Sequence, residues 1–406
     1  MRIALLSYEY PPETGFGGIG TYAWTQARAL VKLGHDVRVV AGSLEPGVFE
    51  SEHDGVRVTR VNDPDPFEGA ADALTADGMG WAPNRLRAGA SAYRAMRELL
   101  EKESYDMVEY PECGADGMMV STLLPVRCGV RFHSPGQLIM ETYGASQHDQ
   151  EVTAFLEQIA VDQAQVRISS SHFLAAEVVN HMNVPTPVHV VANGIDLDLV
   201  DRPPTVDVID RFGLPARGAV TIMFSSRLER RKGVHLLGDV CSEILTLYPH
   251  VHFVIAGADV DGQLASTIQP RLDSLGVGHR LHALGRVDLE EVRALLEYVD
   301  IHLLPTLWDN APHATLEAMA TGTAVVASDV GGLPEMIEHG STGMLALTGE
   351  ADSFIQALRR LIEDEDLRER IGTGARRRVE TQFTDVGVAQ QTVDIWRRAI
   401  ATGGPG

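Results

Sequence analysis

The chain has 406 residues, 44% of them hydrophobic and 22% charged, a globular composition at a length that one compact core does not serve, so two domains are expected. Its formal charge is −22, from 34 Lys and Arg against 56 Asp and Glu, which argues against a nucleic-acid partner and against electrostatic docking on anionic lipid. Three scattered cysteines, Cys113, Cys128 and Cys241, form no CxxC pair, so neither a zinc site nor a disulfide framework is expected and a reducing cytoplasm suits the chain.

The opening Met-Arg-Ile-Ala-Leu-Leu-Ser leads directly into a strand, with an apolar run too short for a signal peptide. Residues 3–6 read as that strand, and a loop follows. A helix is expected over about 20–33, with Ala23, Ala27, Leu30 and Val31 inward, and a second strand over 37–41. The loop holds Gly15-Phe16-Gly17-Gly18-Ile19-Gly20, a literal GxGxxG. A dinucleotide fingerprint needs its first glycine just after the strand and an acid closing the second strand. Here the loop is long, and the second strand ends Val39-Val40-Ala41-Gly42. A glycine loop ahead of a helix N-terminus suits a diphosphate instead.

Residues 53–61 predict a further strand region, and the acid-, Pro- and Gly-rich stretch 62–84 predicts a long loop. An amphipathic helix is expected over 85–100; its Arg85, Arg87, Arg94 and Arg97 read as a solvated face in so acidic a domain. Strands at 107–110 and 130–132 end in Glu109-Tyr110-Pro111-Glu112 and His133-Ser134-Pro135-Gly136. Ligands collect at the carboxyl ends of open parallel sheets, so Glu109, Glu112 and His133 are candidates to line a cleft, with a buried structural role the alternative for His133. Helices over 153–166 and 173–182 and strands over 167–171 and 188–191 lead to Asn193-Gly194-Ile195-Asp196. Pro203, Pro204 and the polar stretch 201–210 mark a composition break. The expected division is a first domain over 1–199, a second over 200–385, and a terminal helix in 386–406 that packs back toward the first.

In the second domain a strand over 220–224 runs into Ser225-Ser226-Arg227-Leu228-Glu229-Arg230-Arg231-Lys232-Gly233. Arg227 and Lys232 can converge on one anion, a planar fork and a point charge that together grip a diphosphate. Strands over 251–256, 281–284, 301–304 and 324–327 continue the alternation, each ending in a Gly-rich or polar loop. After 301–304 come Trp308, Asp309, Asn310 and Pro312, then a helical pattern in Leu316, Met319 and Ala320, closed by Gly322. Asp309 in the loop and Glu317 on the helix flank a helix start that offers unpaired N–H groups. Hydroxyls at both ends and phosphates in the middle describe the ligand, and a nucleotide sugar has them.

These motifs, in this order, resemble those of the GT-B-fold retaining glycosyltransferases of family GT4, across essentially the whole chain. The matching residues are the Gly17-Gly18 loop, His133, Asn193-Gly194-Ile195-Asp196, Arg227-x4-Lys232-Gly233, Gly285-Arg286-Val287, Glu317-Ala318-Met319-Ala320 and Gly331-Gly332-Leu333-Pro334-Glu335. The resemblance implies an α/β fold of two Rossmann-like, doubly wound parallel-sheet domains facing across a cleft. It implies a nucleoside-diphosphate sugar as co-substrate, held mainly by the second domain, and an acceptor held mainly by the first. No metal and no other cofactor is expected. The Asp-x-Asp triplets beginning at Asp63, Asp196, Asp259 and Asp364 read as loop acids.

By the same resemblance Arg227 and Lys232 hold the diphosphate, Gly17 and Gly18 approach it with backbone, and Glu317 accepts the ribose hydroxyls. Val287 lies beside the base, His133 near the donor sugar, and Asn310, Ala311, Pro312, His313, Ala314, Thr315 and Leu316 present backbone to the sugar and β-phosphate. The family has Glu at both ends of an E-x7-E motif where this chain has Asp309 at the first, so the contacts to the donor sugar must differ. Ser226 is a smaller departure, from Gly. The loops 8–16, 62–84 and 109–149 are expected to shape the acceptor site, with Glu9, Tyr10, Glu112 and Tyr143 as candidate contacts. The acidic first domain favours a neutral or cationic small molecule. A nucleotide-sugar epimerase, a pyridoxal-phosphate phosphorylase of the same fold and a nucleotide-sugar-binding protein that lost activity stay open as alternatives.

Overall fold

Ala4, Leu5 and Leu6 early in the chain, and Val325, Val326 and Ala327 late in it, are all buried, although successive strand residues face opposite ways. Strands buried on both faces belong to parallel sheets sandwiched between helices. The computed structural model of the chain describes residues 1–15, 17–63, 68–185 and 187–402. Phe16 of the glycine loop, Asp65, and 403–406 of the terminal segment lie outside the described residues.

Two compact units are present, one of residues 1–194 with 385–406, the other of 195–384. The first is built on eight strands: β1 (Arg2–Ser7), β2 (Asp36–Gly42), β3 (Gly47–His53), β4 (Val56–Asn62), β5 (Met107–Pro111), β6 (Cys128–Phe132), β7 (Val166–Ser169) and β8 (His189–Val190). They lie in the order β3-β4-β2-β1-β5-β6-β7-β8. All neighbours pair in parallel except β3, which folds back antiparallel on β4. The second unit has six parallel strands: β9 (Val220–Ser225), β10 (Val251–Ala256), β11 (Leu281–Gly285), β12 (Ile301–Leu304), β13 (Ala324–Ser328) and β14 (Met344–Ala346). Their order is β11-β10-β9-β12-β13-β14. Chain order reverses between β1 and β5 in one sheet and between β9 and β12 in the other. Crevices at such switch points, at the carboxyl ends of the strands, are where open α/β sheets take ligands.

The division falls at 194/195 and 384/385, a few residues from the expected 199/200 and 385/386. The reason is local: the Ile195 N–H donates to the Phe383 carbonyl at 2.8 Å, and Ile195 bridges Thr384, so one unit begins and ends on the same tie. The terminal helix (Asp385–Thr402) lies in the first unit. It packs on α1 (Gly18–Lys32), buries Trp396 completely, and is pinned by Lys32 Nζ to Asp385 at 3.0 Å.

Two expectations for 47–84 need correction. The strand region expected over 53–61 is the second arm of a hairpin, β4, and its first arm, β3, is exposed along nearly its whole length and gives no pattern of buried positions. The loop expected over 62–84 contains helix α2 (Glu68–Ala76) and the start of α3 (Trp81–Leu100). In α2, too short to show a period, Leu74 packs against the core and Ala71 is buried, and Glu68 and Asp72 hold Arg87 at 2.9 and 2.8 Å. Arg94 pairs with Asp63 at 3.2 Å, so much of the charge on that basic face is met by neighbouring acids. No helix among the described residues is long and apolar enough to cross a membrane.

Candidate active site

In the second unit the loops after β9 and β12 close on each other at the switch point. The Leu307 N–H and the Thr306 hydroxyl both donate to the Arg231 carbonyl, at 2.8 and 3.0 Å. The Arg231 guanidinium donates back to the Trp308 carbonyl at 3.2 Å and to Glu229 at 3.1 Å. Gly233 takes φ +81°, where a Cβ would overlap the Pro305 carbonyl oxygen; only glycine allows the loops to close there. This sets Lys232 against Asp309. The two pair through Nζ and Oδ2, with 13% and 12% of their side chains exposed. Burial pushes the Lys232 ammonium below its usual range, and Asp309 pulls it partly back. Arg227, in contrast, keeps 54% of its side chain exposed and reaches Glu229 at 3.3 Å. It is a mobile-length cation at the rim, while Lys232 is a fixed one inside.

Asp309 is engaged on every side. Its Oδ1 accepts the Asn310 N–H at 3.1 Å, and its carbonyl accepts the Gly332 N–H at 3.2 Å. Gly331, at φ +63°, lies so close that a Cβ would overlap that same carbonyl. The Asp309–Asn310 backbone is thus wedged between the Lys232 loop and the Gly331-Gly332 turn. The helix His313–Ala320 starts immediately after, with Pro312 as its N-cap and no side-chain cap. The Leu316 N–H pairs back onto the Pro312 carbonyl at 3.3 Å. Thr315 and Leu316 turn their side chains inward, so what this helix start offers a ligand is backbone N–H, which favours an anion. Ala311, His313 and Ala314 are half-buried around it.

Glu317 lies on the same helix, half-buried, and burial pushes its carboxyl up to about 7. Such a group gains from hydroxyl donors, which favour its ionised form. Val287 is half-buried just past β11, ahead of the Asp288–Glu291 capping box that starts the next helix. One cation pair, one uncapped helix start, one carboxylate and one strand-end backbone therefore share the carboxyl edge of this sheet. Such an arrangement has the chemistry to receive a diphosphate and a diol.

The first unit gathers its candidates at its own switch point. His133 follows β6 and is nearly buried, its ring edge-on to Tyr22 with centroids 4.8 Å apart. Tyr22 donates to Glu109 at 2.7 Å and lies under the Arg131 guanidinium. Gly17 and Gly18 are both exposed; a Cβ at Gly17 would run into the Glu9 carboxylate, whereas Gly18 has clear space around it. Of the expected acceptor contacts, Glu9 is half-buried over the glycine turn, and Tyr143 is exposed with its ring 5.6 Å from that of Trp81. Two others are corrected. Tyr10 is buried beneath Arg60, and Glu112 is fully buried, accepting the His133 N–H at 2.8 Å and the Ser134 N–H at 2.7 Å. Both are held inside the unit by apolar surroundings or backbone donors.

Sequence reading missed Arg231, Asp116 and Glu157. The Arg230-Arg231-Lys232 run was a visible signal for the first. Asp116 accepts the Tyr8 N–H at 2.7 Å and Glu157 the Gly136 N–H at 2.8 Å; those partners lie 108 and 21 residues away, beyond any local pattern.

The description "Glycosyltransferase Family 4" matches residues 16–199, and "Glycosyl transferases group 1" matches residues 209–378. An MMP alpha-(1->4)-mannosyltransferase of Mycolicibacterium hassiacum is 27% identical, over 99% of this chain and 99% of its own. An alpha-maltose-1-phosphate synthase of Mycolicibacterium smegmatis is 28% identical, over 99% and 100%. Among solved structures, a sucrose-phosphate synthase from Thermosynechococcus elongatus matches with a TM-score of 0.78 at 21% identity, covering 99% of this chain and 100% of that one. The catalytic domain of starch synthase IV from Arabidopsis thaliana, bound to ADP and acarbose, matches with a TM-score of 0.73 at 15% identity, covering 98% and 99%.

Proposed function

The chain belongs to the GT4-type glycosyltransferases of GT-B fold, and on that premise we propose that it moves a hexosyl unit from a nucleoside diphosphate to a small-molecule acceptor, with retention and without a metal ion. The observation that carries this reading is the Lys232–Asp309 pair beside the uncapped start of the His313–Ala320 helix. A buried cation beside backbone N–H donors is what a departing diphosphate requires. The printed names of the relatives, a mannosyltransferase and a maltose-1-phosphate synthase, favour a hexose as cargo and a sugar or sugar-like molecule as acceptor.

In the reaction the bond between the anomeric carbon and the diphosphate oxygen breaks, and negative charge grows on that oxygen. Lys232, Arg227 and the helix-start N–H groups stabilise it, a role for preorganised donors in a site that excludes water. The acceptor hydroxyl attacks from the same face, its oxygen bonds to the anomeric carbon, and its proton passes to the departing phosphate. Glu317 receives the ribose hydroxyls with two carboxylate oxygens, and Val287 lies beside the base. The family resemblance gives Gly17, Gly18 and His133 of the first unit a part in the same reaction.

The test is turnover with UDP-, ADP- and GDP-linked glucose and mannose against a panel of mono- and disaccharides. The product anomer is read from its proton coupling constant, and each assay is repeated with EDTA. A product with the donor's anomeric configuration, formed equally well with the chelator, is expected. An inverted product, a loss of turnover with EDTA, or conversion of the donor with no acceptor present would each contradict the reading.

A further inference from the structure

Three carboxyl groups lie fully or nearly buried at the carboxyl edge of the first sheet and accept backbone N–H groups. Glu112 takes His133 and Ser134 from the turn after β6, and the Cys113 N–H beside it. Glu157, from the helix Gln147–Gln163, takes Gly136 at 2.8 Å and Gly114. Asp116 takes Tyr8. The turn after β5 that carries Glu112 and Asp116 is strained: Gly114 sits at φ +110° and Ala115, fully buried, at φ +52°. Left-handed backbone at a non-glycine residue persists only where its surroundings over-determine it. Gly136 shows how close the fit is, since a Cβ there would come within 3.1 Å of both Glu157 oxygens. Glu157 Oε1 is buried with no hydrogen-bond partner.

We infer that Glu112 and Glu157 form a clamp that positions the 133–136 turn, and with it His133, and that neither residue touches the acceptor. The inference rests on the reading that His133 serves the transfer reaction. The clamp works while the pair holds at least one proton. Burial and the facing Glu157 push Glu112 up to about 8, and burial pushes Glu157 up to about 7. The other charged or titratable groups around them are Arg85 from α3 and Cys113 from the turn after β5, with Asp116, Asp149 and Glu9 facing that arginine or that thiol. Of these only Arg85 is cationic, so at alkaline pH two like charges face each other at the loop that carries His133, with one cation between several acids. Neutral Glu112 can still accept both N–H groups on its carbonyl oxygen, and a glutamine has the same acceptor in the same place.

The experiment compares wild type, Glu112→Ala, Glu112→Gln and Glu157→Gln in two ways. Amide hydrogen exchange of the peptide covering 133–140, measured without substrate, reads the clamp alone. Steady-state turnover of the accepted nucleotide sugar between pH 6 and 9.5 reads its consequence. In Glu112→Ala the His133 and Ser134 amides are expected to exchange about tenfold faster or more, with kcat falling by about tenfold or more and the donor KM held within about twofold. Glu112→Gln restores both at neutral pH, and both Gln variants keep their turnover at the alkaline end, where the wild type declines. Unchanged exchange or unchanged kcat in the alanine variant overturns the inference. So does an alkaline decline shared by wild type and both Gln variants, or a rise in acceptor KM alone, which would make Glu112 an acceptor contact. If Glu112→Ala does not fold, the alkaline limbs of the two Gln variants decide. A wild type that turns over no donor contradicts the transferase reading, and the exchange result still decides the clamp.

Discussion

Lys232 pairs with a carboxylate in this structure, and on the proposed reading a diphosphate takes that carboxylate's place. The Asp309 carboxylate is therefore a counter-ion that keeps a buried ammonium charged until the ligand arrives. Lys232→Ala is expected to lower turnover by about 10²–10³-fold, the scale of losing one preorganised donor to a developing oxyanion, as measured by nucleoside diphosphate release. Arg227→Ala, at the exposed rim, is expected to cost less. Glu317 makes a pH prediction. Burial pushes its carboxyl up to about 7, and on the proposed reading ribose hydroxyls donate to its ionised form, so nucleotide affinity should rise as pH is raised through about 7. Glu317→Gln should flatten that rise in a calorimetric titration. Arg227, Lys232, Asp309 and Glu317 were legible because strand end, loop and helix start are contiguous in the chain. The buried roles of Tyr10 and Glu112 were not, because a strand-end residue faces either ligand or its own neighbouring turns, and sequence does not say which.

At the scale of elements, the site depends on close approaches between loops far apart in sequence. Gly331 combines φ +63° with contact on the Asp309 carbonyl, whereas Gly340, at φ +79°, has nothing near its missing Cβ. Gly331→Ala should therefore destabilise by about 1–3 kcal/mol more than Gly340→Ala, by adding overlap to the backbone strain both share; urea unfolding of the two variants gives the difference. The terminal helix supplies a second case. Trp396 is fully buried against the first unit's core, so Trp396→Ala should cost about 3–5 kcal/mol. Most strands were legible as apolar runs, because parallel strands are covered on both faces. The edge strand β3 and the short helix α2 were hidden, one by an exposed face and the other by a length under three turns.

For the whole molecule, the acids divide into two sets. Glu13, Asp36, Glu103 and Asp149 are held below their usual range by backbone, hydroxyl or arginine donors that outweigh their burial, so their stabilisation is lost as pH falls through the carboxylate range. Asp116, Glu157, Glu317 and Glu112 are pushed up to about 6, 7, 7 and 8 by burial. Their folded pKa values exceed the unfolded ones, so the stability they allow is full below the ordinary carboxyl range and is lost as pH rises through 6–8. Thermal stability without ligand should therefore be greatest in mildly acidic buffer and decline toward pH 8.5, the opposite of a protein whose acids are all paired. A flat profile over that window would mean these carboxyls are not buried as described.

Binding of a nucleoside diphosphate at the Lys232 cradle is the claim on which the rest depends, and a ligand that binds only the folded state must raise its apparent stability. The direct measurement is the melting temperature of wild type and Lys232→Ala with saturating UDP, ADP, GDP and dTDP. At least one nucleotide is expected to raise the wild-type melting temperature, and the same nucleotide to leave Lys232→Ala unmoved. No shift with any of the four, or an equal shift in the variant, would contradict it.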